Sequence, residues 1–182
     1  KIKVPPSKSM AHRYLICAGL CSGESEISGV DLNEDVLATI DCMKNIGAEC
    51  EIYKDTVRVK ADFNVKSGSV CCRESGSTLR FLTAIALLSQ NEVTLTGTTR
   101  LMQRPLAEYE KICLGQNLLY KKDKTSLTVC GRLSAGTYEI SAEVSSQFAS
   151  GLMMALPLLA SDSRILLTGK VTSRSYLLIT AE

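Results

Sequence analysis

The sequence predicts an α/β domain built as pseudo-threefold strand-helix-strand-helix-hairpin repeats around a helical core. Three observations carry that prediction: landmarks that recur every 68 to 72 residues, helix starts rich in small hydroxylated residues, and an ordinary globular composition. Hydrophobic residues make up 45% of the 182 and charged residues 22%, which excludes a disordered or fibrous chain.

The first unit begins with a strand at Lys1. Ser7-Lys8-Ser9 then opens a helix over Met10 to Leu20, and Ser25 to Gly29 reads as a short strand. Asp31-Leu32-Asn33-Glu34 has the capping-box pattern, so a second helix is expected from Asp31 to its stop at Gly47. Cys50 to Tyr53 turns at Lys54-Asp55 into Thr56 to Lys60, a hairpin. In the second unit Ser75-Gly76-Ser77 opens a helix over Thr78 to Leu88, and Val93 to Gly97 is the strand after it. Arg104-Pro105 then starts a helix ending at Gly115, because proline is preset for the first helical turn. A hairpin joins Leu118 to Lys121 with Ser126 to Val129. In the third unit Ser145-Ser146-Gln147 precedes Phe148 to Leu159, which Pro157 bends or ends, and Ile165 to Gly169 is the next strand. Ser9, Ser77 and Ser146 are 68 and 69 residues apart, and Gly47 and Gly115 are 68 apart. The units are thus approximately 1–66, 67–133 and 134–182 of a single domain, the third truncated, as expected of a piece of a longer protein. The helices Met10 to Leu20, Thr78 to Leu88 and Phe148 to Leu159 are expected to pack together.

Net charge is only +2, from 21 Lys and Arg against 19 Asp and Glu, so nucleic acid and anionic membrane are not expected partners. With no Trp, 3 Phe and 6 Tyr, no aromatic platform for single-stranded nucleic acid is evident. The longest apolar run, Gly151 to Ala160, is far short of a membrane span. Eight cysteines contain no Cys-x-x-Cys, and the one histidine, His12, has no partner, so no metal site is expected. Cys17, Cys42 and Cys113 read as buried thiols, which points to a reducing cytoplasm. His12, beside Arg13, reads as exposed, and Glu24, Glu26 and Asp35 as solvated surface charges.

Equivalent helix starts gathered at one end form an anion site, since free amides and the helix dipole face it. Lys8, Ser9, Ser75, Gly76, Ser77, Ser145, Ser146 and Gln147 would stand there, with Arg13, Arg80 and Arg104 adding cations. Taken singly, the serines read first as helix caps, and Arg13 and Arg80 as surface charges or ion-pair partners.

Five motifs in order, Val4 to Arg13, Glu74 to Phe81, Gln103-Arg104-Pro105-Leu106, Val144 to Phe148 and Ser173-Arg174-Ser175-Tyr176, resemble the enolpyruvyl transferase family that makes 5-enolpyruvylshikimate 3-phosphate. The resemblance covers essentially the whole chain. It implies a two-domain enzyme of three repeats per domain, of which this chain is most of the N-terminal domain, with the C-terminal domain as partner. It implies enolpyruvyl transfer from phosphoenolpyruvate to shikimate 3-phosphate in aromatic amino acid biosynthesis, with no cofactor. Lys8 matches the lysine touching both substrates, in a binding or electrostatic role. Ser9, Arg13, Ser145, Ser146 and Ser173 match the shikimate-phosphate contacts, Gly76 and Arg104 the phosphoenolpyruvate contacts, Gln147 lies between the ligands and Tyr176 flanks the shikimate pocket. The family's proton-transfer Asp and Glu lie in the second domain, so this chain alone is expected to bind substrate without turnover. The sequence departs from the family at Glu74-Ser75-Gly76-Ser77, where many members have Asn-Ala-Gly-Thr; a carboxylate at Glu74 repels phosphoenolpyruvate unless Arg80 offsets it. The alternatives are the related transferase acting on UDP-N-acetylglucosamine, which typically has Asn after the lysine and a loop cysteine, and a non-catalytic phosphoanion-binding module.

Overall fold

In the computed structural model, residues 4–61, 64–171 and 173–182 are described, and the strand expected at Lys1 lies outside them. Helix α1 (Lys8–Leu20) is capped by Ser7, whose side chain accepts from the Met10 amide. Strand β1 (Gly23–Ile27), helix α2 (Glu34–Asn45) and the hairpin β2 (Glu49–Tyr53) and β3 (Thr56–Ala61) follow. They form an antiparallel sheet in the order β1-β3-β2, with Ile27 opposite Val57 and Cys50 opposite Val59. Val57, Val59 and Ala61 alternate inward, the period-two pattern of a sheet with one face on the core.

The second stretch repeats this order behind one additional strand. Strand β4 (Gly68–Cys71), helix α3 (Gly76–Ala86), strand β5 (Val93–Thr96), a short helix α4 (Thr99–Met102), helix α5 (Ala107–Gly115), and strands β6 (Leu119–Lys122) and β7 (Ser126–Cys130) make a sheet ordered β4-β5-β7-β6. β4 and β5 are parallel, as a crossover through a helix requires. The third stretch has strand β8 (Thr137–Ser141), helix α6 (Ser146–Ala155), a 3-10 turn over Leu156–Leu158, strand β9 (Arg164–Thr168) parallel to β8, and helix α7 (Arg174–Ala181). Pro157 sits inside that 3-10 turn, so the helix ends where proline withdraws a backbone donor.

The core lies between the sheets and is dominated by α3 and α6. Every residue of α3 except Ser77 is buried, and α6 buries Phe148, Ala149, Ser150, Gly151, Leu152, Met154 and Ala155. These two helices pack closely, and Tyr109 of α5 meets the Phe148 ring edge-on at 5.2 Å. α1 packs mainly on α2 and β3 and reaches α3 and α6 through Arg13. That guanidinium lies 5.1 Å over the Phe81 ring and donates to Ser150 Oγ at 3.1 Å.

Several sequence expectations are corrected. The α2 cap is Asn33, not Asp31: Asn33 accepts from the Val36 amide, while Asp31 accepts from the Asn33 side chain and Glu34 pairs with Arg73. Helix α5 starts at Ala107 rather than Arg104-Pro105, because a residue before proline is pushed out of the helical region. A separate turn, α4, occupies the preceding stretch, capped by Thr98. Cys17 is exposed, since Met10, Tyr14, Cys17 and Cys21 form the outward stripe of α1, whereas Cys42 and Cys113 are buried; all eight thiols are free. His12 is fully buried, not exposed. No helix among the described residues is long and apolar enough to cross a membrane.

Candidate functional site

Three helices begin around one cavity of about 500 Å³. Each has a serine cap: Ser7 for α1, Ser75 for α3 and Ser145 for α6, each accepting an amide of its own first turn. The residues just past those caps, Lys8 and Ser9, Gly76 and Ser77, and Ser146 and Gln147, line the cavity, so their helix dipoles present positive ends to it. Ser173 and Tyr176 enter from the start of α7, and Arg104 from the link between α4 and α5. Of the residues selected from the sequence, Lys8, Ser9, Arg13, Gly76, Ser77, Arg104, Ser145, Ser146, Gln147, Ser173 and Tyr176 border one space, whereas Ser75 and Arg80 are buried behind it.

Gln147 ties the halves of the site together. Its Oε1 accepts from Arg80 Nη1 at 2.7 Å, and its Nε2 donates to Ser77 Oγ at 2.7 Å. The Arg104 guanidinium lies directly over Gly76, where a methyl group would stand 2.4 Å from Arg104 Nη1 and 3.4 Å from Arg80 Nη1. Burial lowers the Arg80 pKa and the neighbouring Arg104 charge lowers it further. Neither arginine, nor Arg13, has a carboxylate partner among the described residues. A buried Arg80 beside an exposed Arg104, neither with a carboxylate partner among the described residues, favours an anion next to them.

Arg13 is more committed than the sequence indicates. Nε donates to Thr180 at 2.6 Å, Nη1 to the Ser9 carbonyl at 2.7 Å, and Nη2 to Ser150 and to the Tyr176 carbonyl. A guanidinium has five N–H donors, so one remains for a ligand. Arg13 thus joins α1 to α6 and α7 and sets the wall of the cavity.

Two carboxylates border the same space. Asp35, expected as a surface charge, accepts from Lys8 Nζ at 2.5 Å; its place in the first turn of α2 was the available signal. Glu74 stands at the lip, where Oε1 accepts from Thr98 Oγ1 at 3.2 Å. No cluster of three or more metal-binding side chains occurs among the described residues.

Behind the cavity, His12 Nδ1 meets Thr39 Oγ1 at 2.7 Å. Burial lowers its pKa to about 4; Asp35 opposes that shift, while Lys8 and Arg13 add to it. The unfolded ring binds a proton below about 6.5 and the folded ring only below about 4, so stability is fullest above pH 6.5 and falls as pH drops through that window. The His12 contribution amounts to about 3 kcal/mol at most. Urea unfolding at pH 7 and pH 4.5 should show a smaller acid loss in His12→Asn than in the parent; equal losses would refute it.

The family model for EPSP synthase (3-phosphoshikimate 1-carboxyvinyltransferase) matches residues 1–182. Curated relatives named 3-phosphoshikimate 1-carboxyvinyltransferase from Clostridium kluyveri and Clostridium perfringens are 44% and 41% identical, covering 100% of this chain and 44% of their own lengths. The solved EPSP synthase of Acinetobacter baumannii matches with a TM-score of 0.75 at 20% identity, over 95% of this chain and 42% of that one. This chain therefore spans less than half the length of the relatives it matches.

Proposed function

The chain belongs to the EPSP synthase family, and from that membership we propose that it forms most of the N-terminal domain of a cytoplasmic enolpyruvyl transferase. The reaction moves the enolpyruvyl group of phosphoenolpyruvate to the 5-hydroxyl of shikimate 3-phosphate. A proton adds to the methylene carbon, the 5-hydroxyl oxygen attacks the cationic carbon and gives up its proton, and loss of phosphate and a methyl proton from the tetrahedral intermediate restores the double bond.

The observation that supports this reading best is the common cavity, with three helix starts and unpaired arginines around it. Arg104, Arg80 and the α3 start at Gly76 would hold phosphoenolpyruvate. Ser9, Arg13, Ser145, Ser146 and Ser173 would seat shikimate 3-phosphate, with Tyr176 beside its ring and Gln147 between the two. Lys8 would leave Asp35 to meet both anions, its charge favouring the departing phosphate. Glu74, held by Thr98, would stand at the lip of the cavity that Arg104 also lines, its charge opposing the phosphoenolpyruvate carboxylate that the arginine attracts. The C-terminal domain of the same protein would supply the groups that give and take protons and would exclude water. Neither a cofactor nor nucleic acid enters this scheme. A phosphorylated cyclohexene acceptor, rather than UDP-N-acetylglucosamine, is favoured by Ser9 after Lys8 and by the family model matched.

The test is phosphate release. The full-length protein should release phosphate only when both substrates are present, and the 182-residue chain should bind shikimate 3-phosphate weakly and release none. Full-length protein that is inert with this pair, or a 182-residue chain that turns over, would overturn the proposal.

A further inference from the structure

Four buried side chains, His12 of α1, Thr39 of α2, and Thr78 and the cap Ser75 of α3, are joined in one line. His12 Nδ1 lies 2.7 Å from Thr39 Oγ1, which lies 2.7 Å from Thr78 Oγ1, which lies 2.7 Å from Ser75 Oγ. Ser75 Oγ also accepts the Thr78 amide at 3.2 Å, the bond that caps α3. The Asp35 carbonyl sits 3.4 Å from both threonine hydroxyls, and the Asp35 carboxylate holds Lys8. None of His12, Thr39, Thr78 or Ser75 lines the cavity, yet the line runs from α1 to the cap at its edge.

Each hydroxyl has one proton, so the line has a direction. Run from His12 to Ser75, it makes Nδ1 a donor, and the buried, unpartnered His12 Nε2 carries a bare lone pair. Run the other way, Nε2 would carry a buried N–H with no acceptor, which is the rarer and costlier state. The first order leaves Ser75 Oγ accepting twice and puts the unpartnered proton on its hydroxyl, which can rotate toward a weaker acceptor as a fixed ring N–H cannot.

We propose that His12, Thr39 and Thr78 are positioning residues that lock the start of α3, with Gly76 and Ser77, against the Lys8–Asp35 pair, through hydroxyls ordered from His12 to Ser75. This rests on the reading of that start as the phosphoenolpyruvate side of the site. Valine is nearly isosteric with threonine but cannot pass a hydrogen bond on, so it breaks the line without opening a cavity.

The test uses the full-length protein. Thr39→Val should raise KM for phosphoenolpyruvate about tenfold, leave KM for shikimate 3-phosphate nearly unchanged, and be rescued by Thr39→Ser at the same position. Two KM values that rise together, or neither rising, would overturn the positioning role. Nitrogen-15 spectra of the His12 ring, identified by its loss in His12→Asn, should show a neutral ring protonated at Nδ1 at pH 6, with Thr39→Val moving the proton toward Nε2. The ring is acted on by the charges of Asp35, Lys8 and Arg13; burial, reinforced by Lys8 and Arg13, outweighs Asp35. A parent ring protonated at Nε2 would overturn the ordering even in a protein that turns over. A protein inert with both substrates would instead sink the functional reading and leave the spectra to judge the line.

Discussion

Gly76→Ala in the full-length protein should lower kcat/KM for phosphoenolpyruvate by on the order of 100-fold while leaving thermal stability nearly unchanged. The added methyl would stand 2.4 Å from Arg104 Nη1, about 1 Å inside normal contact. The guanidinium is the far end of a flexible side chain, so it swings aside and the backbone stays. Alanine is also a better helix residue than glycine by about 1 kcal/mol, which supports the fold at this first position of α3. The loss falls on the site, because a misplacement of about 1 Å in a binding clamp can cost roughly 100-fold. Steady-state kinetics with each substrate varied in turn separates the effects. An unchanged KM for phosphoenolpyruvate would mean that Arg104 does not hold that ligand from above Gly76.

Gly151→Ala should destabilise the fold by about 2–5 kcal/mol, because here the obstacle is rigid. A methyl on Gly151 would stand 2.5 Å from the Tyr109 hydroxyl and 3.3 Å from the Arg80 carbonyl. Tyr109 is fully buried, donates to that carbonyl at 2.7 Å and is pinned by the Phe148 ring, so it cannot step aside without giving up its bond. The close approach of α3 and α6 depends on this glycine. Urea unfolding measures the cost, and Tyr109→Phe supplies the control by deleting the hydroxyl in the way. The alanine should cost markedly less in that background; an equal cost in both would show that the hydroxyl is not the obstacle.

The repeat was legible because its marks are local. A serine that caps a helix and a glycine that ends one act within four residues, so Ser7, Ser75, Ser145 and Gly47 announce themselves without tertiary knowledge, whereas α5 runs through Gly115 and turns at Asn117. The cavity was legible for the same reason, since its wall is made of the residues just after those caps. What failed depended on distant partners. His12 looked exposed beside Arg13, but both are buried, His12 Nδ1 against Thr39 from 27 residues away and Arg13 against Thr180 and Tyr176 from more than 160. Asp35 looked like an ordinary first-turn acid until the fold laid Lys8 across it. The start of α5 was placed two to three residues too early, because proline's effect on Arg104 outweighs its fitness for the helix that follows.

The separation of Arg13 from its partners has a bearing on how the molecule is made. Every strand pairing among the described residues is confined to one stretch of chain, the sheets closing by Ala61, Cys130 and Thr168. Arg13 instead waits for the Tyr176 carbonyl, 163 residues later. At a ribosomal pace of roughly 5–20 residues per second, that wait lasts on the order of 10 to 30 s. A nascent chain can thus carry finished sheets and a guanidinium still in water, and it is the emergence of α7 that seals the wall. Of the described residues, those of the cavity wall are the last to find their partners, and a stall between Thr168 and Thr180 would leave the three sheets paired while Arg13 still lacked its α7 partners.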